Sequence, residues 1–307
     1  MLTLPKVNHR LSSTPCISRI SLWIALTIVA SPFSRTSAQG PASPLDLSTT
    51  TPRSWAEAAA LNEEQVIKDD GSFPLRYHLR RVDARADTTR DVIESRQGLV
   101  ARTIQRNGQP LTPEEDAAER SRLTDLLDSP RDFIKRHKRD TAARGYALEL
   151  VREFPRATIF SYAPGQPQRP NFHTPQVVLD CTPDPSYQPP TIVTQVLTGI
   201  QGRIWIDRET MHVLRVEGSV LRAVDFGWGF LARIYPGGTV EFEQINTGGN
   251  RWAYASLREN VTIREMMVKT VQRHSTMTTA DFHLLPAPID YQEAIHILLA
   301  TPLQLAK

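Results

Sequence analysis

From Gly202 onward the chain repeats one rhythm: stretches of alternating apolar and polar residues joined by short polar or glycine-bearing turns. A period of two sends successive side chains to opposite faces of a strand, so the pattern demands a sheet with a buried face. Gly202-Arg203-Ile204-Trp205-Ile206-Asp207 and His212-Val213-Leu214-Arg215-Val216-Glu217 read as a hairpin across Arg208-Glu209-Thr210-Met211. Alternation leaves Ile204, Ile206, Leu214 and Val216 for one face. Further strands are expected at 239–245, 251–258 and 265–274, followed by an amphipathic helix that includes 291–299.

The region before this block supplies strands and then helices. Leu75, Tyr77 and Leu79 alternate with Arg76, His78 and Arg80, and 88–95 and 99–105 repeat the signal across short turns. Strands joined so tightly must be antiparallel neighbours. Asn107-Gly108 closes this meander. Thr112-Pro113-Glu114-Glu115 then provides an N-cap, a proline at the first helical position and a capping-box glutamate, predicting a helix to about 127. Asp128-Ser129-Pro130 separates it from a basic helix over 131–144, and a short helix over 146–154 ends at Pro155. Strands resume at 157–162 and 176–181 around a loop containing Pro164, Pro167 and Pro170. Nearer the N-terminus, Ser54 is positioned to cap a helix whose stripe is Ala58, Leu61, Val66 and Ile67. Strand clusters flanking a helical block, without strand-helix alternation, predict an α+β domain built on one large antiparallel sheet. Curved around the central helices, such a sheet buries their apolar faces with its own.

The first 38 residues read as an export signal. Lys6, His9, Arg10 and Arg19 precede an 11-residue uncharged run over 20–30, and Thr36-Ser37-Ala38 offers small residues for cleavage near Ala38. The run is shorter than the ~20 residues of a membrane-spanning helix. Residues 39–53, rich in Pro, Ser, Thr and Ala, form a flexible lead-in. The chain holds 36 Lys and Arg against 33 Asp and Glu, but Lys6, Arg10, Arg19 and Arg35 fall in the signal, leaving 32 basic residues against 33 acidic. That balance gives no bulk electrostatic reason for nucleic-acid binding. Cys16 precedes the apolar run and is unsuited to lipoprotein acylation. Only Cys181 follows the signal, so internal disulfides are excluded and the fold rests on its core. Cys181 lies in a strand-like apolar run and reads as a small buried residue.

Chemical motifs are sparse. The histidines after the signal, at 78, 137, 173, 212, 274, 283 and 296, show no metal-ligand spacing and read as surface or strand-face residues; no cofactor is implied. Glu217-Gly218-Ser219 lacks the second glycine of a nucleophile elbow, and Gly227-Trp228-Gly229 is only a fragment of a dinucleotide fingerprint. Glu114-Glu115-Asp116 suits the positive end of a helix dipole. Two features suggest contacts: the basic run Arg131, Lys135, Arg136, Lys138 and Arg139, suited to anionic lipid headgroups or an acidic partner, and the C-terminal aromatics Trp205, Trp228, Phe230, Tyr235, Phe242, Trp252 and Tyr254.

The run 202–217, with Trp205, Asp207, Thr210, Arg215 and Glu217, resembles the hairpin of the outer-membrane lipoprotein carrier and sorting family, and Gly238-Thr239-Val240-Glu241-Phe242-Glu243 resembles the strand after it. The resemblance runs from Leu75 to about Leu285 and implies an open half-barrel with helices closing an apolar cavity. It implies one carrier-like domain over 54–307, carrying a helical insertion at about 112–154. It also implies a periplasmic, non-enzymatic carrier of the acyl chains of lipoproteins or lipids. Expected partners are an inner-membrane release complex or an outer-membrane acceptor, with transient membrane-surface contact. Strand alternation nominates Leu79, Ile204, Ile206, Leu214, Val216 and Phe242 as cavity-facing. The alternative is an envelope-stress or structural module of the same fold that binds a protein partner.

Overall fold

A computed structural model describes residues 49–68, 74–128, 130–227, 229–249 and 251–302. Residues 1–38, expected to be an export signal, most of the expected lead-in, Trp228 and the side chains of Arg136, His137 and Arg139 lie outside the described residues. Helix α1 (Pro52–Lys68) leads into β1 (Leu75–Asp83), β2 (Asp87–Ser95) and β3 (Gly98–Arg106), and a two-residue β4 (Gln109–Pro110) pairs back onto β3. Helices α2 (Pro113–Asp128) and α3 (Arg131–Ala157) follow, then β5 (Thr158–Tyr162), β6 (Gln176–Pro183) and a 3-10 turn at Val193–Thr198. The remaining strands are β7 (Ile200–Asp207), β8 (Val213–Val220), β9 (Val224–Phe226), β10 (Ala232–Ile234), β11 (Thr239–Asn246), β12 (Trp252–Glu265) and β13 (Lys269–Leu284), before α4 (Tyr291–Ala300).

All thirteen strands belong to one open antiparallel sheet in the order β4-β3-β2-β1-β13-β12-β11-β8-β7-β6-β5, with β10 beside β12 and β9 beside β10. The N-terminal meander joins the C-terminal strands through β1–β13, so the sheet is continuous although helices interrupt the chain. The fold is therefore α+β, as the order of elements predicts.

Register separates two faces. Ile204, Val216, Phe242, Leu257, Met277 and Arg81 stand opposite one another across six strands. One residue over, Asp180, Arg203, Glu217, Glu241, Arg258 and Thr276 form the parallel row on the other face. One row is predominantly apolar and the other is charged, the alternation of a sheet with one face packed and one wet.

Helices cover the apolar surfaces. Trp55, Ala56 and Ala59 of α1 pack on Val177, Leu179 and Cys181 of β6 and on Ile204 and Ile206 of β7. In α3, Leu150 joins a cluster with Val196, Val220, Phe226 and Ile263. Helices α2 and α4 cover Ile93 and Val100 through Leu123, Leu126, Ile295 and Leu298. The opposite face of the same meander carries Tyr77 and Val92 against Ala253, which is why all five residues from Asp91 to Ser95 are buried. The loop between β5 and β6 closes over Trp205, whose indole N–H donates to the Pro167 carbonyl at 2.8 Å. Beyond β5, the side-chain amides of Gln166 and Gln168 each donate to and accept from the β6 backbone, at Val178 and Gln176. They satisfy an edge that no strand covers.

Several local expectations hold. Thr112 and Glu115 exchange the reciprocal capping-box bonds, and the Asn107-Gly108 turn places both residues at positive φ, 50° and 74°. Others need correction. Thr51, not Ser54, caps α1: its hydroxyl accepts from the Ser54 N–H at 3.2 Å, with Pro52 in the first helical position. The buried face of α1 is Trp55, Ala59, Glu63 and Ile67, spaced by four, while Leu61 is exposed. The two helices expected within 131–154 are one, because Gly145 is accommodated in a helix that tertiary contacts stabilise at both ends. Strand β12 runs on to Glu265, so the turn expected between 258 and 265 lies at 266–268. Its apolar residues Met266, Met267 and Val268 carry no turn signal.

Candidate functional site

Of the six residues that strand alternation nominates as cavity-facing, α1 covers Ile204, Ile206 and Val216. Ile204 and Ile206 are buried against Trp55, Ala56 and Ala59, with Val216 partly buried in the same cluster. Phe242, 2% exposed, stands between Val216 and Leu257. Leu79, two residues from Arg81 on β1, shares their face and packs against the cluster of Tyr77 and Val92. Leu214 does not join them. The β7–β8 pairing slips one residue, with Trp205 opposite Arg215 and Ile206 opposite Val213, and Leu214 turns to pack with Val178, Trp205 and Trp252. A bulge of this kind reverses the facing that alternation predicts.

A polar seam runs through this interior. Glu63, from the buried face of α1, offers one carboxylate oxygen to three groups: the Val213 N–H at 2.9 Å, the Gln244 amide at 2.8 Å and His212 Nδ1 at 3.1 Å. All three side chains are less than a tenth exposed. The His212 ring stacks on Trp252 with centroids 4.4 Å apart, so its orientation is fixed from two sides. Next to Trp252, the buried Arg251 donates to both oxygens of Glu94 at 2.8 and 3.1 Å and to the Trp252 carbonyl. Glu94 also accepts the Leu75 N–H at 3.0 Å. Burial pushes the Glu94 carboxyl above its ordinary pKa even though Arg251 opposes that shift. Burial raises the Tyr77 and Tyr254 phenols in the same way.

The Glu63 bonds join α1 to the β7–β8 turn and β11, the Glu94–Arg251 bonds join β2 to the start of β12, and the His212–Trp252 stack brings the two groups together. The Trp55 and Trp252 indole N–H groups, the Tyr77 hydroxyl and the Arg251 Nε have no hydrogen-bond partner among the described residues. Sequence reading misses the seam because Glu63 and Glu94 look like solvent residues. The four-residue spacing from Trp55 to Ile67 is the one signal that places Glu63 inside.

The outer face carries a charge lattice. Arg215 is bound to Glu217, Glu241 and Glu243, and Arg203 to Asp180. Arg169 reaches Glu217 and lies over the Trp205 ring, 4.9 Å from its centroid. Beside the Asp180–Arg203 pair, a shallow open groove of about 390 Å³ is lined in part by the paired Gly202 and Gly218. On α3, Arg131, Lys135 and Lys138 are exposed. Cys181 is buried beneath α1, and burial raises its thiol pKa, against any nucleophilic role. His212, expected on the surface or on a strand face, is buried just before β8. Among the described residues no cluster of His, Cys, Asp and Glu is arranged to hold a metal ion, and no helix is long and apolar enough to cross a membrane. No protein-family model, curated protein or solved structure matches the chain.

Proposed function

We propose that the chain is a periplasmic, non-enzymatic carrier that holds the acyl chain of a lipoprotein or lipid between α1 and the inner face of the sheet. The observation that carries this reading is how α1 is attached. Over Ile204 and Ile206 it meets the sheet through Trp55 and two alanines, and its C-terminal half is held by the Glu63 latch together with the buried Ile67. Each bond of the latch to the carboxylate contributes about 1.5–3 kcal/mol net, since water replaces its partners when it opens. The apolar row beneath offers an acyl chain about 0.8 kcal/mol for each CH₂ buried. Exchange of α1 for a chain would have to offset the burial of Trp55 and Ile67 as well as the latch, which an acyl chain of about a dozen or more CH₂ groups supplies. The hairpin's resemblance to the lipoprotein carriers supports the same reading, and release would follow contact with a partner.

The test is uptake of a fluorescent sixteen-carbon acyl probe. The reading expects saturable uptake by the folded protein, faster with Glu63→Ala and lost with Ala59→Phe, which crowds the contact beneath α1. A folded protein that takes up no probe, with or without the latch, contradicts it. A second reading, a module of the same fold that binds a protein partner, draws on the groove beside Asp180 and Arg203.

A further inference from the structure

Two neighbouring hairpin tips gather apolar side chains that the core does not use. Phe230 and Leu231 lie in the turn between β9 and β10, and Met266, Met267 and Val268 form the turn between β12 and β13. All five are exposed, Val268 at 89%. The tips are joined, since the Met266 N–H donates to the Leu231 carbonyl at 3.0 Å and Ala232 pairs with Glu265. The β12–β13 ladder ends at Glu265 and Lys269, so the three residues between them project past the last strand pair.

The backbone at this tip is unfavourable for its residues. Met266 and Met267 both adopt positive φ, 51° and 59°. For an L-residue other than glycine this conformation is sterically disfavoured, and Asn-Gly is the usual solution in a hairpin turn. The same chain uses that solution at Asn107-Gly108, with φ of 50° and 74°. At 266–267 two large apolar residues occupy such a turn and are then left in water. Folding gains little from that choice, and an observed strain of this kind points to a use for the side chains.

The charge around the tips indicates the use. Across 224–234 and 264–273, Arg233 pairs with Asp225 and Arg273 with Glu265, and Arg264 and Lys269 leave a net charge of +2. An apolar apex above a cationic base is complementary to a bilayer with anionic headgroups over hydrocarbon. We propose that these two tips dock the protein on an anionic lipid surface, with Phe230, Met266, Met267 and Val268 entering the headgroup boundary. The surface is separate from the sheet face that α1 covers, and the proposal does not depend on what that face binds.

The experiment is flotation of the purified full chain, its N-terminus recorded by mass spectrometry, with vesicles of phosphatidylglycerol and phosphatidylethanolamine and with neutral phosphatidylcholine vesicles. The expected result is partition onto the anionic vesicles that weakens with salt. Met266→Asn with Met267→Gly should lower it at least about ten-fold while leaving the melting temperature equal or higher, since those residues suit the turn. As a second readout, Val268→Cys in a Cys16→Ser background carries an environment-sensitive dye, whose emission should shift to the blue on the same vesicles. Unchanged partition of the double variant, no blue shift, or no binding by the wild type overturns the proposal. So does a wild type that self-associates through the tips, with the variant monomeric.

Discussion

Replacing Glu63 tests whether the seam fastens α1. Its Oε1 accepts from the Val213 N–H, the Gln244 amide and His212, all in the interior. Glu63→Ala leaves the buried Gln244 amide and the part-buried Val213 N–H without an acceptor, each costing about 1–3 kcal/mol, and adds the loss of a charge-assisted bond, for about 4 kcal/mol in total. Glu63→Gln keeps an oxygen at the same place and should cost about 1 kcal/mol, the difference between a charge-assisted and a neutral bond. Equilibrium urea unfolding reads both. With a slope of about 2.5 kcal/mol per molar, the alanine variant should lower the midpoint by about 1.5 M and the glutamine variant by about 0.4 M. A double-mutant cycle with His212→Ala should return a coupling of about 1 kcal/mol. An alanine variant within about 1 kcal/mol of the wild type would refute the reasoning, because donors so buried cannot be released cheaply. Equal losses for alanine and glutamine would refute the assignment to the oxygen's position.

Three further outcomes follow from the same structure. Glu64 joins α1 to α3 through Arg152 at 2.6 Å and also meets Lys68; these bonds pull its carboxyl from 4.5 to about 2. That shift corresponds to about 3 kcal/mol at full strength, reduced to about 1 kcal/mol because Arg152 is half exposed. A folded-state pKa below the unfolded one gives stability above pH 4.5 that disappears as pH falls toward 2. Glu64→Gln should therefore destabilise at pH 7 and match the wild type near pH 2, and parallel denaturation curves check it. Gly202→Ala should prevent correct folding or cost several kcal/mol, since its Cβ would stand 2.0 Å from the Glu217 carbonyl oxygen; soluble yield and melting temperature measure it. Cys181, buried under Trp55 and Ala59, should resist a thiol reagent in the folded protein and react in urea, as mass spectrometry would record.

The strands were legible where one face is wet and the other packed. The middles of β7, β8 and β11 alternate in sequence because Arg203, Glu217 and Glu241 lie behind Ile204, Val216 and Phe242, and the α+β class followed. Position on a face was less legible where register slips. Leu214 continues the alternation of Val216 in sequence, yet the bulge opposite Trp205 and Ile206 turns it away from Ile204. The last hairpin was misread for a different reason. Glu259 and Asn260 look like turn residues but remain paired in a long strand, while the turn itself is built from Met266, Met267 and Val268. The polar seam was not legible because a lone glutamate becomes an interior group only when the chain returns Val213 and Gln244, about 150 and 181 residues later, to meet it.

The carrier reading is tested most directly by native mass spectrometry of the protein purified from a bacterial periplasm without detergent, paired with lipid extraction of the same sample. The account predicts acyl-bearing material near one equivalent per chain, displaced by the sixteen-carbon probe and reduced in Ala59→Phe. A folded protein that emerges free of acyl material and stays free when offered lipoprotein or lipid would contradict it.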